Sequence, residues 1–261
     1  MHPTGLHVVR HHVDAPGPPV VIVHGAPDRS KNFAHVVHQL RDVPVTVYDR
    51  RGYGKSLDAA IDADGSVLGG FDVHADDLVA LLDNTPSVVV GQSAGGSIAM
   101  VAATRAPELF LALGVWEPTM VPWTWWAGEL PMERTMIWAR GADPLQVGED
   151  FNRTILGDER WEGLHDSTKQ LLRAEGLAFR ADMAGQAEPF FELDQLKVPV
   201  LVGCGTVSAD ERFQIAPHHR LAEAVGAELF VAEGADHFAH TNHPDAWVEL
   251  VRRTVALAAR S

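Results

Sequence analysis

Residues 88–97 read VVVGQSAGGS, an uninterrupted apolar run that ends at Gly91 and gives way to one serine among small residues. A strand with apolar side chains at every position has no polar face to offer water, so it must lie in a sheet covered on both sides. Short runs rich in Val, Ile and Leu recur along the chain, separated by longer amphipathic segments, which is the pattern of a mostly parallel sheet flanked by helices. The pattern predicts strands over 6–13, 20–24, 45–48, 87–91, 111–116, 198–203 and 228–232. Helices are expected over 30–41, 72–83, 94–105, 214–225 and 244–259. No internal repeat or low-complexity stretch interrupts this α/β alternation.

The alternation breaks between Pro118 and Leu193, where no buried strand is evident and Trp123, Trp125, Trp126, Trp138 and Trp161 fall among helix-forming stretches. It resumes at LKVPVLVGCG. The expected organisation is a core of 1–117 and 194–261, with 118–193 forming a helical cap over the sheet edge. Most of these tryptophans are expected to glue the cap to the core.

A chain of 261 residues, 46% hydrophobic and 21% charged, suffices for one large globular domain with an inserted subdomain. Its formal net charge of -14 favours solubility and disfavours nucleic acid or an anionic membrane as partner. The N-terminus lacks a basic start followed by a long apolar block, and no later stretch is apolar for long enough to span a bilayer. The expected location is the cytoplasm, with a small molecule as partner and a monomeric or homodimeric state. The single cysteine, Cys204, lies in an apolar segment and is read as core.

Gly91, Ser93 and Gly95 fit G-x-S-x-G, with a strand before and a helix-compatible stretch after. A strand reversing abruptly into a helix forces its central residue into a strained conformation that larger neighbours would obstruct. The hydroxyl then stands at a helix N-terminus, whose free amides favour developing negative charge. In that context Ser93 reads as a nucleophile. RGYGKS misses the phosphate loop because Asp49 stands where the first glycine is required, and no dinucleotide G-x-G-x-x-G is present. No cofactor is indicated.

The segments VVIVHGAPD (20–28), YDRRGYGKS (48–56), VVVGQSAGGS (88–97), VPVLVGCG (198–205) and AEGADHFAHTNHP (232–244) together resemble the α/β-hydrolase fold superfamily. The type is that of capped serine esterases, haloperoxidases and carbon-carbon hydrolases. The resemblance implies a helical cap inserted after the sixth core strand. It also places the catalytic base last in chain order, at His237. His240 and His243 follow at spacing three, a poor ligand set for a metal, and none is expected. The remaining histidines, the pairs 11/12 and 218/219 among them, are expected at the surface. Relatives usually carry their acid a few residues beyond the strand at 198–203; that register holds Ser208, with Asp210 two residues late. Glu117, ending GVWEP, matches a position other relatives use and is preferred over Asp210, with Asp236 weaker. The implied oxyanion donors are the backbone amides of Ala26 and Ala94.

Dehalogenases and epoxide hydrolases of this fold use an aspartate where Ser93 stands, and the only tyrosines, Tyr48 and Tyr53, precede the cap. The resemblance therefore implies a carboxylesterase acting on a small or medium apolar ester, with Trp123, Trp125, Trp126 and Trp138 as candidate substrate contacts. A carbon-carbon hydrolase using Arg134, Arg140, Arg153 or Arg180, a perhydrolase and a non-catalytic receptor are the alternatives.

Overall fold

The computed structural model of the chain describes residues 5–62, 65–120, 143–185, 191–208 and 213–260. Asp210, Trp123, Trp125, Trp126, Trp138, Arg134 and Arg140 lie outside these residues. Seven strands form one sheet: β1 (Val8–His11), β2 (Val20–Val23), β3 (Val45–Tyr48), β4 (Ser87–Gln92), β5 (Phe110–Trp116), β6 (Val200–Gly205) and β7 (Glu228–Ala232). Their order is β1-β3-β2-β4-β5-β6-β7, parallel throughout except for β1, which runs antiparallel to β3. Helices α1 (Ala34–Gln39), α2 (Phe71–Leu82) and α3 (Ala94–Arg105) alternate with the first strands, and α8 (Ile215–Val225), α9 (Ala239–Asn242) and α10 (Pro244–Ala258) with the last.

Period-two alternation explains why β2 reads VVIV without a polar residue. Val20 and Ile22 face one apolar layer, packed with residues of α1 and α10; Val21 and Val23 face the other, packed with α2, α3 and α8. β1 is shorter than the expected 6–13 because His12 turns to a positive φ of 51° and ends it. The expected 30–41 helix likewise divides into a 3-10 turn, Ser30–Phe33, and α1.

Between β5 and β6 the described residues carry only helices: α4 (Pro144–Leu156), α5 (Asp158–Glu162), α6 (Asp166–Ala174) and α7 (Gly176–Gly185), with a 3-10 turn before β6. Counted along this chain, the insert follows the fifth strand. The expected sixth assumes one more strand at the antiparallel edge, where the chain forms β1 alone. Trp161 is fully buried between the Arg153 and Arg173 side chains, both of the insert, so these contacts join parts of the insert to one another and not to the core.

Two buried carboxylates tie the insert to the core. Asp182 of α7 accepts from Arg50 Nη1 at 3.1 Å, Tyr53 Oη at 2.8 Å, the Gly70 amide at 3.2 Å and His74 Nε2 at 2.8 Å. Glu175, between α6 and α7, takes the Arg29 guanidinium on both oxygens at 2.6 Å and the Gly54 amide at 2.9 Å. Burial drives the Asp182 carboxyl upward, but His74 and Arg50 outweigh it and hold the group below the ordinary range. An isolated buried charge is far costlier than a paired one, so each partner here depends on the others.

His74 and His218, expected at the surface, are inside, and so is His240, weighed above only as a metal ligand. His218 is buried on α8 with Nδ1 2.7 Å from the Gln214 carbonyl, and burial lowers its pKa. His240 is stacked on Phe33 at 4.4 Å, with Nε2 2.9 Å from Asp28 Oδ2. These positions sit on helix faces turned to the sheet, where neighbouring rings and carbonyls replace water.

Asp182→Ala should lower stability by roughly 3–5 kcal/mol, since it strands Arg50 in the interior; urea unfolding checks this, and a loss below about 1 kcal/mol would refute it. A second expectation concerns acid. Burial raises the Asp28 carboxyl but the facing His240 more than offsets it, leaving it near about 2 against an ordinary value of 3.8. A depressed carboxylate contributes stability that is present above its unfolded pKa and lost as pH falls through the folded one. Between about pH 4 and pH 2 the protein should therefore lose about 2 kcal/mol that Asp28→Asn does not lose, measured by denaturant titration across that window.

Candidate active site

The strand order reverses at β2, whose neighbours are β3 on one side and β4 on the other. Such a switch point leaves a crevice beyond the carboxyl ends of the strands, where ligands bind in open α/β sheets. Ala26 follows β2, Ser93 follows β4, Glu117 follows β5 and His237 follows β7, so all four lie along that one edge.

Ser93 joins β4 to α3 with φ 53° and ψ -126°, a conformation costly for any residue with a side chain. Its amide donates to the Trp116 carbonyl at 2.9 Å and its carbonyl accepts from the Gly96 amide at 2.9 Å, which hold it there. The turn is tight enough to exclude neighbouring side chains. A Cβ on Gly91 would collide with the Gly95 carbonyl, and one on Gly95 with the Val23 and His24 carbonyls. Ala94 opens α3, so its amide has no carbonyl one turn back to bond and points out at the positive end of the helix.

Glu117 is fully buried, also at positive φ (42°), with its amide donating to the Gly203 carbonyl at 2.9 Å. Its carboxylate accepts from Ser208 Oγ at 2.7 Å, from the Gly205 amide at 2.9 Å and from His237 Nδ1 at 2.8 Å. A carboxylate accepts, so His237 must carry its proton on Nδ1, which leaves Nε2 unprotonated and chemically able to act as a base. The ring is further fixed by stacking on Phe213, centroids 3.7 Å apart. Gln92 closes the arrangement: its Nε2 lies 3.2 Å from His237 Nε2 and donates to the His237 carbonyl at 3.2 Å, while its Oε1 accepts from the Gly25 amide at 3.1 Å.

That last bond bears on the oxyanion expectation. Gly25 spends its amide on Gln92 and Pro27 has none, so within GAP only Ala26 has an amide to offer. The loop itself is braced from below by Arg50, which donates to the carbonyls of His24 and Gly25 at 3.0 Å each. His24 Nε2 accepts from the Arg50 amide at 2.8 Å; burial, joined by the Arg50 charge, pulls its pKa down to about 3 and keeps the ring neutral. YDRRGYGKS is thus a structural brace, as its failed phosphate-loop spacing implied.

The other candidates are accounted for elsewhere. Asp236 accepts from the Phe238 amide at 2.9 Å and Asn242 Nδ2 at 2.8 Å and shapes the turn into α9. His237 faces Glu117 and His240 faces Asp28, so neighbouring histidines serve different partners; no group of three or more metal-ligating side chains is assembled among the described residues. Arg153 is engaged by Glu149, Asp158 and Glu162. The Cys204 thiol is buried and pushed up to about 12, first by burial and then by the Glu117 charge, which makes it inert as a nucleophile. Gln92, Phe213 and the donor role of Ser208 escaped sequence reasoning. Ser208 carried the only signal, as a hydroxyl occupying the register where an acid is usual.

The model of the Alpha/beta hydrolase family matches residues 20–250. Lipase LipV of Mycobacterium tuberculosis (strain ATCC 25618 / H37Rv) is 35% identical over 121 residues, 44% of this chain and 42% of that protein. The matched stretch thus spans less than half the length of that curated relative. A thermophilic esterase from Thermogutta terrifontis, solved with malate bound, has a TM-score of 0.71 at 21% identity, covering 97% of this chain and 93% of that one. Est816, described as an N-acyl homoserine lactone degrading enzyme, has a TM-score of 0.69 at 21% identity over 95% of this chain and 96% of its own. At such identities the two structures speak for the fold alone. Because the family model runs from the first residue of β2 into α10, taking in the whole parallel part of the sheet, the chain belongs to the alpha/beta hydrolase family.

Proposed function

We propose that the chain is a serine hydrolase that cleaves a small or medium apolar carboxylic ester through an acyl-enzyme intermediate. The observation that carries this reading is the His237 Nδ1 contact with Glu117 at 2.8 Å, which leaves Nε2 unprotonated on the same sheet edge as a serine held in a strained turn. In this reading Ser93 Oγ attacks the ester carbonyl carbon while its proton passes to His237 Nε2. The negative charge that develops on the carbonyl oxygen is met by the amides of Ala26 and Ala94. His237 returns the proton to the departing alcohol, leaving an acyl group on Ser93. It then takes a proton from water, whose oxygen attacks the acyl carbon; the bond to Ser93 Oγ breaks, the acid leaves, and His237 returns the proton to Ser93 Oγ. Glu117 stays ionised throughout and stabilises the imidazolium.

Residues 118–193 act as the cap in this proposal, over a core of 1–117 and 194–261. Its apolar character is supported by a cluster of Val147, Phe151, Phe179 and Met183, against which Ala26 of the oxyanion loop packs. Trp123, Trp125, Trp126 and Trp138 are proposed to extend that apolar wall. Such a surface suits an alkyl or aryl group better than an anion.

Purified protein should hydrolyse p-nitrophenyl esters of graded chain length, with Ser93→Ala losing at least ~10^4-fold in kcat. Turnover surviving in Ser93→Ala, or none on any ester by folded protein, would overturn the reading. Glu117→Ala should cost about 10^3–10^4-fold and Asp210→Ala less than about tenfold, compared at saturating substrate. The reverse ranking would move the acid to Asp210.

A further inference from the structure

A cleft of about 640 Å³ lies between the β1–β3 margin of the sheet, α1 and the insert. None of Ser93, Gln92, Glu117 or His237 lines it. Its volume falls within the range of small-molecule sites, roughly 300–1,000 Å³. The walls divide by chemistry. Val9, Val37 and Val47 form an apolar floor with Leu171 of α6 facing it from the insert. Around that floor stand Lys31, Lys55 and Arg29, with one carboxylate, Asp49, among the lining residues.

Asp49 brings one negative charge to this lining, held by backbone amides and not by the cations. Its Oδ1 accepts from the Ser30 amide and its Oδ2 from the Lys55 amide, both at 2.8 Å. Arg29 is already committed to Glu175, but the two lysines make no ion pair among the described residues. Histidines 7, 11, 12 and 38 complete the lining and bring no negative charge in either protonation state. A protein with a formal net charge of -14 thus carries a concavity in which the two lysines outnumber the one lining carboxylate. A low-dielectric concave wall focuses the field of such charges and concentrates counter-ions of opposite sign.

We propose that this cleft is a second ligand site, which takes an amphipathic organic anion: a carboxylate, sulfonate or phosphate carried on an aryl or short alkyl body. The apolar body would lie on the valine floor and the anionic head between Lys31 and Lys55. The inference is independent of the catalytic reading, since it uses no residue of that site.

The test is calorimetric titration of the full chain with naphthalene-2-sulfonate, beside the uncharged naphthalene-2-methanol. The expected result is one site for the sulfonate, at least tenfold weaker binding of the alcohol, and unchanged sulfonate binding in Ser93→Ala. The exposed pair Lys31→Glu with Lys55→Glu should weaken the sulfonate at least tenfold while ester turnover by the same preparation stays within about twofold. A second variant, Ala34→Phe, should reduce binding by filling the cleft without touching charge. Sulfonate binding that neither variant changes, or that disappears in Ser93→Ala, would overturn the proposal, as would equal affinity for the alcohol. Loss of ester turnover in wild type would instead bear on the catalytic reading alone.

Discussion

Glu117 has no contact with solvent, and a carboxylate in that position stays charged only if its oxygens find donors. Three are supplied, from a serine hydroxyl, a backbone amide and an imidazole N–H. The arrangement fixes the tautomer of His237, and with it which nitrogen is left without a proton. It also explains a feature that looked like a defect in the chain. The position after β6 that usually carries the acid holds Ser208 instead, and that serine serves the acid contributed by the neighbouring strand. A second carboxylate there would have faced Glu117 across a buried gap, where two like charges repel strongly.

A second set of buried polar contacts reaches from the insert to the oxyanion loop. Asp182 holds Arg50, and Arg50 holds the carbonyls of His24 and Gly25, one residue from Ala26. The amide direction in that loop is therefore set by a carboxylate on α7, more than 150 residues away in sequence from the loop it steadies. Gln92 completes the bracing from the other side by joining the Gly25 amide to His237. Loop, base and insert are mechanically one object.

The parallel core was legible because both-faces burial leaves an unbroken apolar signature, as in VVIV and SVVV, and because the serine turn needs glycines at fixed offsets. Strand β7 and helix α3 begin and end at the expected residues. Legibility failed where tertiary contacts decide. Nothing local in His218 or His240 distinguishes a buried ring from an exposed one, since the deciding partners, a carbonyl one turn away and an aspartate over 200 residues distant, are brought in by packing. Asp182 and Glu175 look in sequence like the solvent face of amphipathic helices; only the approach of Arg50 and Arg29 turns them inward. The pairing of Glu117 with His237 was readable because chain order and the serine at 208 together pointed to Glu117 over Asp210.

Glu117 is the last residue before the insert and is pinned to β6 through its own amide, while Pro118 immediately follows. The residue proposed as the acid is thus also the root of the segment proposed as the cap. An exchange of inserts between such proteins is a modular operation only if the upstream junction falls after residue 117. A graft cut one residue earlier would import the donor's choice of acid along with its choice of walls.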